Sequence, residues 1–296
     1  MIDPAWTDDF VTANGIRVHY LRHGAGNPIV LLHGWPEFCR VWRRNIGPLA
    51  AHFDVVVPDL RGFGDSEKPD LSAEDGYTLD HLVDDLDGLA DALGLDRFGV
   101  VGHDIGAYVM QGLARKRSER LAGLFFFDCP YPGIGKRWGE AEHIKEIWYQ
   151  TFHTLPWAAE MVGSSRRACE LYVRHFLDHW AYRPGSFADE DIAAWVDNFL
   201  KPGNLQGGFN WYVNSASRRL ALMRDGAPNL PKIDVPTRVR WGEGDAVLNV
   251  AWADRLSDYF SDLDFAPFPD AGHFAMYEQA DAANREIIEF FTGVFG

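Results

Sequence analysis

The sequence predicts an α/β fold: a mostly parallel sheet with helices on both faces and an inserted helical lid. Short apolar runs bounded by Gly, Pro or Asp alternate with stretches patterned as amphipathic helices. Several of the runs are apolar throughout, the pattern of strands covered on both faces. The alternation stops after residue 129 and resumes at about residue 231. The expected division is therefore a core of residues 1–129 and 231–296, interrupted by a lid of residues 130–230.

Taken in order, Ile16 to His23 reads as a strand, Pro28 to Leu32 as a buried one and Val55 to Pro58 as a third. Trp35 to Ala50, between the last two, has aromatic and aliphatic positions suited to a helix. Leu82, Val83, Leu86, Leu89, Ala90 and Leu93 recur at helical spacing, with Asp84, Asp85, Asp87 and Asp91 facing elsewhere. Phe98 to Val101 is a short apolar strand, followed after a Gly-rich break by a helical segment, Tyr108 to Ala114. Leu121 to Phe127 is the next buried strand. From Pro130 the chain turns rich in Trp, Tyr, His and Arg and shows helical stretches only. Strands return at Thr237 to Gly242 and Leu263 to Phe268, and an amphipathic helix runs from Asn284 to Phe295.

Composition narrows the function classes. With 296 residues, 47% of them hydrophobic, the chain can bury a large core. A formal charge of -15 argues against nucleic acid or an anionic membrane as partner, since a phosphate-binding surface needs clustered Lys and Arg. No apolar run approaches the length of a membrane helix, and Met1 to Asp9 lacks the pattern of a signal peptide. Cys39, Cys129 and Cys169 are odd in number and lack C-x-x-C spacing, so neither a disulfide framework nor a zinc cluster is suggested. A reduced cytoplasm is the expected location. No metal and no cofactor are expected.

The chemistry concentrates at Gly102-His103-Asp104-Ile105-Gly106, where strand gives way to helix. Flanking small residues permit a strained turn that pushes the central side chain into a site. A carboxylate there is poorly suited to acyl transfer, because its attack on an ester gives an anhydride that collapses back. It can instead displace a leaving group from saturated carbon, forming an alkyl ester that water later cleaves. The competing reading is an acid that caps the following helix. Two further groups favour the chemical one: Asp245, just after the strand ending at Gly242, and His273, in Asp270-Ala271-Gly272-His273-Phe274. All three fall at the carboxyl ends of parallel strands, where functional groups of such sheets gather. Their order, nucleophile then acid then His, is that of an α/β-hydrolase. His273 would activate a water, and Asp245 would fix the tautomer of the imidazole.

His33-Gly34-Trp35-Pro36-Glu37, Asp59-Leu60-Arg61-Gly62-Phe63-Gly64-Asp65-Ser66, the Asp104 elbow and Gly272-His273-Phe274 resemble the epoxide hydrolases of the α/β-hydrolase fold. They also resemble their relatives, the haloalkane and fluoroacetate dehalogenases. The resemblance covers essentially the whole chain. It implies an oxyanion hole from the backbone N–H groups of Trp35 and Ile105, and a cis Trp35-Pro36 bond. Phe209-Asn210-Trp211-Tyr212-Val213-Asn214 and Trp148-Tyr149-Gln150-Thr151-Phe152 resemble the segments around the two lid tyrosines of epoxide hydrolases, which implies Tyr212 and Tyr149 as proton donors. Glu243 to Leu248 matches the acid loop and favours Asp245, while Asp128 stands where some relatives keep the acid instead.

The implied function is opening of an epoxide to a vicinal diol, through an alkyl ester on Asp104 that His273-activated water hydrolyses. A haloacetate or haloalkane dehalogenase using the same nucleophile is the first alternative. Against it, Ile105 and Tyr108 stand where fluoroacetate dehalogenases keep a pair of arginines, and Ile105 and Trp35 where haloalkane dehalogenases keep halide donors. A non-catalytic ligand receptor on the same fold is the second. The implied partner is a small molecule, an apolar or aromatic epoxide, with no nucleic acid and no membrane; a homodimer stays open.

Overall fold

Where the apolar runs are continuous, the chain forms the middle of a single eight-stranded sheet. The computed structural model describes residues 3–296. Its strands are β1 (Thr7–Ala13), β2 (Ile16–Gly24), β3 (Pro28–Leu32), β4 (Asp54–Pro58), β5 (Phe98–His103), β6 (Leu121–Phe127), β7 (Thr237–Gly242) and β8 (Leu263–Phe268). They lie in the order β1-β2-β4-β3-β5-β6-β7-β8. The β1–β2 and β2–β4 pairs are antiparallel and all others parallel. Every residue of β4, β5 and β6 is buried, as helices on both faces require. At the edge, β8 is largely solvent-facing and carries Asp264 and Pro267, residues that discourage pairing with another chain.

Two stretches depart from the sequence reading. β1 had no counterpart there, because Thr7-Asp8-Asp9-Phe10 is polar and mostly exposed. It is held as a hairpin with β2 by Asn14-Gly15, both at positive φ (48° and 77°), the geometry of a two-residue hairpin turn. Trp35 to Ala50 is not one helix but a 3₁₀ segment, Cys39–Arg44, and a short helix, Ile46–Ala50. Its backbone is drawn to buried side chains instead: Gly34 N–H donates to Glu37 Oε2 (2.6 Å) and Cys39 N–H to Asp59 Oδ1 (2.7 Å). The Trp35-Pro36 bond is cis.

The helix Leu79–Ala92 starts three residues before the first apolar position, capped by Thr78 Oγ1, which accepts the His81 N–H at 3.2 Å. The helix Ala280–Phe295 lies directly on the sheet. A Cβ added at Gly99 would stand 2.1 Å from the Phe291 ring, and one at Gly123 2.9 Å from the Phe290 ring. Glycine at these two positions is what lets the helix approach so closely.

Between β6 and β7 the described residues form helices and no strand, the longest being Arg166–His179, Asp189–Phe199 and Asn204–Asp225. Two of their ties to the sheet domain stand out. The buried Asp191 carboxylate meets Arg43 Nη2 (2.5 Å) and Arg40 Nη2 (3.4 Å) and accepts from the Tyr277 hydroxyl. At the second point two backbones touch, since a Cβ on Gly207 would stand 2.3 Å from the Gly62 carbonyl oxygen. Among the described residues no helix is long and apolar enough to cross a membrane.

Candidate active site

The turn between β5 and the helix Ile105–Lys116 holds Asp104 at φ 48° and ψ −109°, a conformation that only tight surroundings sustain. Those surroundings are glycines. A Cβ at Gly106 would come within 2.6 Å of Leu32 Cβ, and one at Gly34 within 2.3 Å of Asp104 Cβ. The close passage of Gly34 brings the Trp35 N–H to Asp104 Oδ1 at 2.9 Å. Ile105 opens its helix, so its N–H has no intrahelical partner. Burial pushes the Asp104 carboxyl above the usual range, against the pull of His273, His103 and the Trp35 N–H.

His273 lies beyond β8 and Asp245 beyond β7, and the two side chains meet. His273 Nδ1 is 2.8 Å from Asp245 Oδ2, and both side chains are fully buried. The other Asp245 oxygen accepts the N–H groups of Val247 (2.8 Å) and Leu248 (2.9 Å). His273 Nε2 is buried and has no protein partner. Burial alone would lower the His273 pKa, but Asp245 first, then Asp104 and Glu37, outweigh it and hold the imidazole up at about 9. His103, whose ring centroid is 4.5 Å from that of His273, pairs in turn with Glu37 Oε2 at 2.9 Å.

Asp128, at φ 46° just after β6, points its Oδ1 at the Gly242 N–H (2.7 Å) and not at His273. Burial, then the neighbouring Asp245, drive its pKa well up.

Tyr149 comes from the short helix Trp148–Phe152 and Tyr212 from Asn204–Asp225. Both are buried, with ring centroids 5.4 Å apart and planes at 81°. The Gln150 side-chain amide donates to the Tyr149 hydroxyl at 3.1 Å. Burial foremost, with the Asp104 charge adding to it, pushes both phenols far above their usual range, so each keeps its proton at neutral pH. Asp104, Tyr149 and Tyr212 line one narrow cavity between the sheet and the helices above it.

The structure thus brings together five of the residues singled out in the sequence: Asp104, Tyr149 and Tyr212 around the cavity, with the Asp245–His273 pair packed beside the carboxylate. Several neighbours had been given no role. Glu37 and His103 lie inside the quoted motifs, but nothing in the sequence pairs them. Arg218 and Arg219 also line the cavity, and the seven-residue step from Tyr212 to Arg219, two helical turns on one face, was the available signal.

The sequence matches the family described as the alpha/beta hydrolase fold over residues 27–280. The chain belongs to this family. This α/β-hydrolase is 32% identical over 292 residues to a soluble epoxide hydrolase of a Corynebacterium species, covering 94% of this chain and 95% of the relative. It is 28% identical over 298 residues to a cis-3-alkyl-4-alkyloxetan-2-one decarboxylase of Shewanella oneidensis, covering 96% and 87%. Its structure resembles that of the epoxide hydrolase CorEH without ligand, with a TM-score of 0.83 and 30% identity over 98% of this chain and 99% of the other.

Proposed function

We propose that this α/β-hydrolase opens epoxides to vicinal diols. The observation that carries the reading is the pair of protonated phenols, Tyr149 and Tyr212, lining the same cavity as the Asp104 carboxylate. An epoxide leaves its carbon as an alkoxide and needs a proton; a halide does not. Relatives named as epoxide hydrolases support the same choice.

In the proposed reaction Asp104 Oδ2, the oxygen not engaged by Trp35, attacks an epoxide carbon. The ring C–O bond breaks as a tyrosine hydroxyl donates its proton to the departing oxygen. The resulting ester keeps Oδ1 as its carbonyl oxygen, already facing the Trp35 N–H. His273 Nε2 takes a proton from water, and the hydroxide adds to the ester carbonyl. The oxyanion forms at the backbone donors of Trp35 and Ile105 and collapses with cleavage of the ester C–O bond; the departing oxygen takes the proton from the His273 imidazolium to complete the diol, and the Asp104 carboxylic acid returns its proton to the tyrosinate. Asp245 holds the imidazole in its tautomer and stabilises the imidazolium.

In this reading residues 130–230 act as the lid that supplies the proton donors. The substrate is a small epoxide on an apolar or aromatic body, in keeping with the Trp, Tyr and Leu side chains of the cavity. Three buried free cysteines fit a reduced cytoplasm. The dehalogenase alternative finds no support in Ile105, which offers the leaving group no side-chain donor.

The test is the double variant Tyr149→Phe/Tyr212→Phe, which removes both protons at nearly constant volume. Rapid-quench alkylation of Asp104 by an epoxide should slow by about a thousandfold or more, judged from what preorganised donors contribute elsewhere. Alkylation by a primary bromide, which needs no proton, should survive far better. Equal losses for the two would leave the tyrosines as mere walls of the cavity and remove the ground for the epoxide reading.

A further inference from the structure

Arg218 and Arg219 lie on the helix Asn204–Asp225 and line the same cavity as Asp104. Tyr212, Ser215, Arg219 and Leu222 follow at steps of three, four and three residues, so one helical face carries them all into the cavity. Among the described residues neither guanidinium meets a carboxylate. Farther along the same helix Arg224 does, with Asp225 at 2.7 Å. Arg218 instead rides over the rings of Tyr108 (5.3 Å) and Trp211 (5.5 Å), which hold a cation without cancelling its charge. Arg219 is half-buried among the phenols of Tyr149, Tyr212 and Tyr108. Among the described residues Asp104 is the only acid lining this cavity, and it is committed to the Trp35 N–H.

A cation withdrawn from water without a counter-ion is costly, and in a chain of net charge -15 acids are not scarce. Arg218 keeps an exposed side, but the cavity offers the half-buried Arg219 no acid except the nucleophile. Resting on the reading of the site as an epoxide hydrolase, we propose that Arg219, assisted by Arg218, binds a carboxylate carried by the substrate, so that the preferred epoxides are epoxy acids. The spacing sets their shape. Seven residues separate Tyr212, at the reacting oxygen, from Arg219, which is about 10 Å along the helix axis. With the reach of an arginine side chain, that places the carboxylate several bonds from the ring, with the aromatic cavity wall flanking the chain between. A guanidinium fork matches a carboxylate in two parallel hydrogen bonds, which a neutral amide of the same shape cannot reproduce.

The experiment compares an epoxide joined by four methylene groups to a carboxylate with the corresponding primary carboxamide. On the wild-type protein kcat/KM for the acid should exceed that for the amide by roughly ten- to a hundredfold, the value of one or two charge-assisted hydrogen bonds. In Arg219→Gln the acid-to-amide ratio should collapse toward one, and in Arg219→Lys it should survive in part. The ratio is insensitive to any effect of the substitution on the tyrosines that both substrates share. Turnover of both compounds with a wild-type ratio near one, or a ratio unmoved in Arg219→Gln, overturns the carboxylate site and leaves the epoxide reading intact. If neither epoxide is opened, that reading falls, and calorimetry with the corresponding saturated acid and amide decides the site alone. Tighter binding of the acid, lost in Arg219→Gln, supports it, and equal binding overturns it.

Discussion

With Oδ1 of Asp104 tied to the Trp35 N–H, attack and ester hydrolysis fall to different groups, and the two halves can be separated by substitution. Asp104→Ala should abolish turnover without unfolding the protein. His273→Gln should still react with an epoxide but stall, its intact mass raised by one substrate molecule; a folded variant that neither alkylates nor turns over would give His273 an earlier role. The charge environment adds a sharper expectation. His273 is held at about 9 partly by the anionic Asp104, and esterification removes that charge. The imidazole should therefore become less basic once the ester forms, and ester breakdown should rise with pH about a midpoint below the value of the free protein. NMR titration of the free imidazole, set against a rapid-quench pH profile of ester decay, checks this; a midpoint at or above the free value contradicts it. The two acids should also differ. Asp245→Asn should slow ester hydrolysis on the order of a thousandfold, and Asp128→Asn, at a side chain that faces the Gly242 N–H and not His273, less than about tenfold. Single-turnover decay of the trapped ester ranks them, and the reverse order would transfer the role to Asp128. Asp104, Asp245 and His273 were legible because each sits at a strand end inside a recognisable loop. That the Asp128 carboxyl is pushed upward was not, since it follows from its burial and then from Asp245, which the sequence places far along the chain.

At the scale of elements, the helices between β6 and β7 are joined to the sheet domain by several polar contacts, among them Asn204 Nδ2 to the Gly64 carbonyl (2.9 Å), Lys201 to Asp65 (2.6 Å) and the cluster around the buried Asp191. Asp191 is the strongest, its carboxyl kept below the usual range by Arg43 and Tyr277 in spite of burial. Asp191→Ala would leave the Arg40 and Arg43 charges facing an empty pocket and should cost about 3 kcal/mol, the usual result of removing one partner from a buried ion pair. Urea unfolding measures it, and a loss within about 0.5 kcal/mol would mean the contact is only a surface pair. This network could not be read in advance, because Arg43 and Asp191 are ordinary charged residues until the chain folds them together. Strands were legible by their apolar patterning, the largely exposed β8 included. β3 to β6 announced themselves as apolar runs and β7 as an alternation of apolar residues with Arg238 and Arg240, whereas β1, polar and at an edge, was marked only by the Asn14-Gly15 turn.

For the whole molecule, stability should fall toward alkaline pH. His19 is buried between Asp59 (2.7 Å) and Asp8 (2.8 Å), and although burial alone would lower its pKa, Asp59 foremost holds it up at about 9, as Asp245 does for His273. Each imidazole binds its proton more tightly folded than unfolded, where the value is 6.5. Their contribution is therefore complete below about pH 6.5 and lost as pH rises through about 9, on the order of 3 kcal/mol for each at most. Denaturant unfolding across that window should show the decline, and His19→Gln should flatten part of it; a flat wild-type profile would mean both histidines are neutral in the fold. Asp59 and Asp191, both depressed, contribute in the opposite sense: their stabilisation is present above about pH 4 and fades as pH falls through their folded values.

The close seating of the helix Ala280–Phe295 on Gly99 and Gly123 also bears on how the protein comes off the ribosome. The two strands it covers, β5 and β6, end at His103 and Phe127, yet their outer face is met by Phe290 and Phe291, which are translated far later. Throughout synthesis of the intervening helices the nascent sheet carries an uncovered apolar face beside an already formed nucleophile turn. The order of synthesis leaves the nucleophile without its base until His273 is made, and the central sheet without this cover until Phe290 and Phe291 follow, so the sheet domain is expected to complete its packing only after those residues emerge.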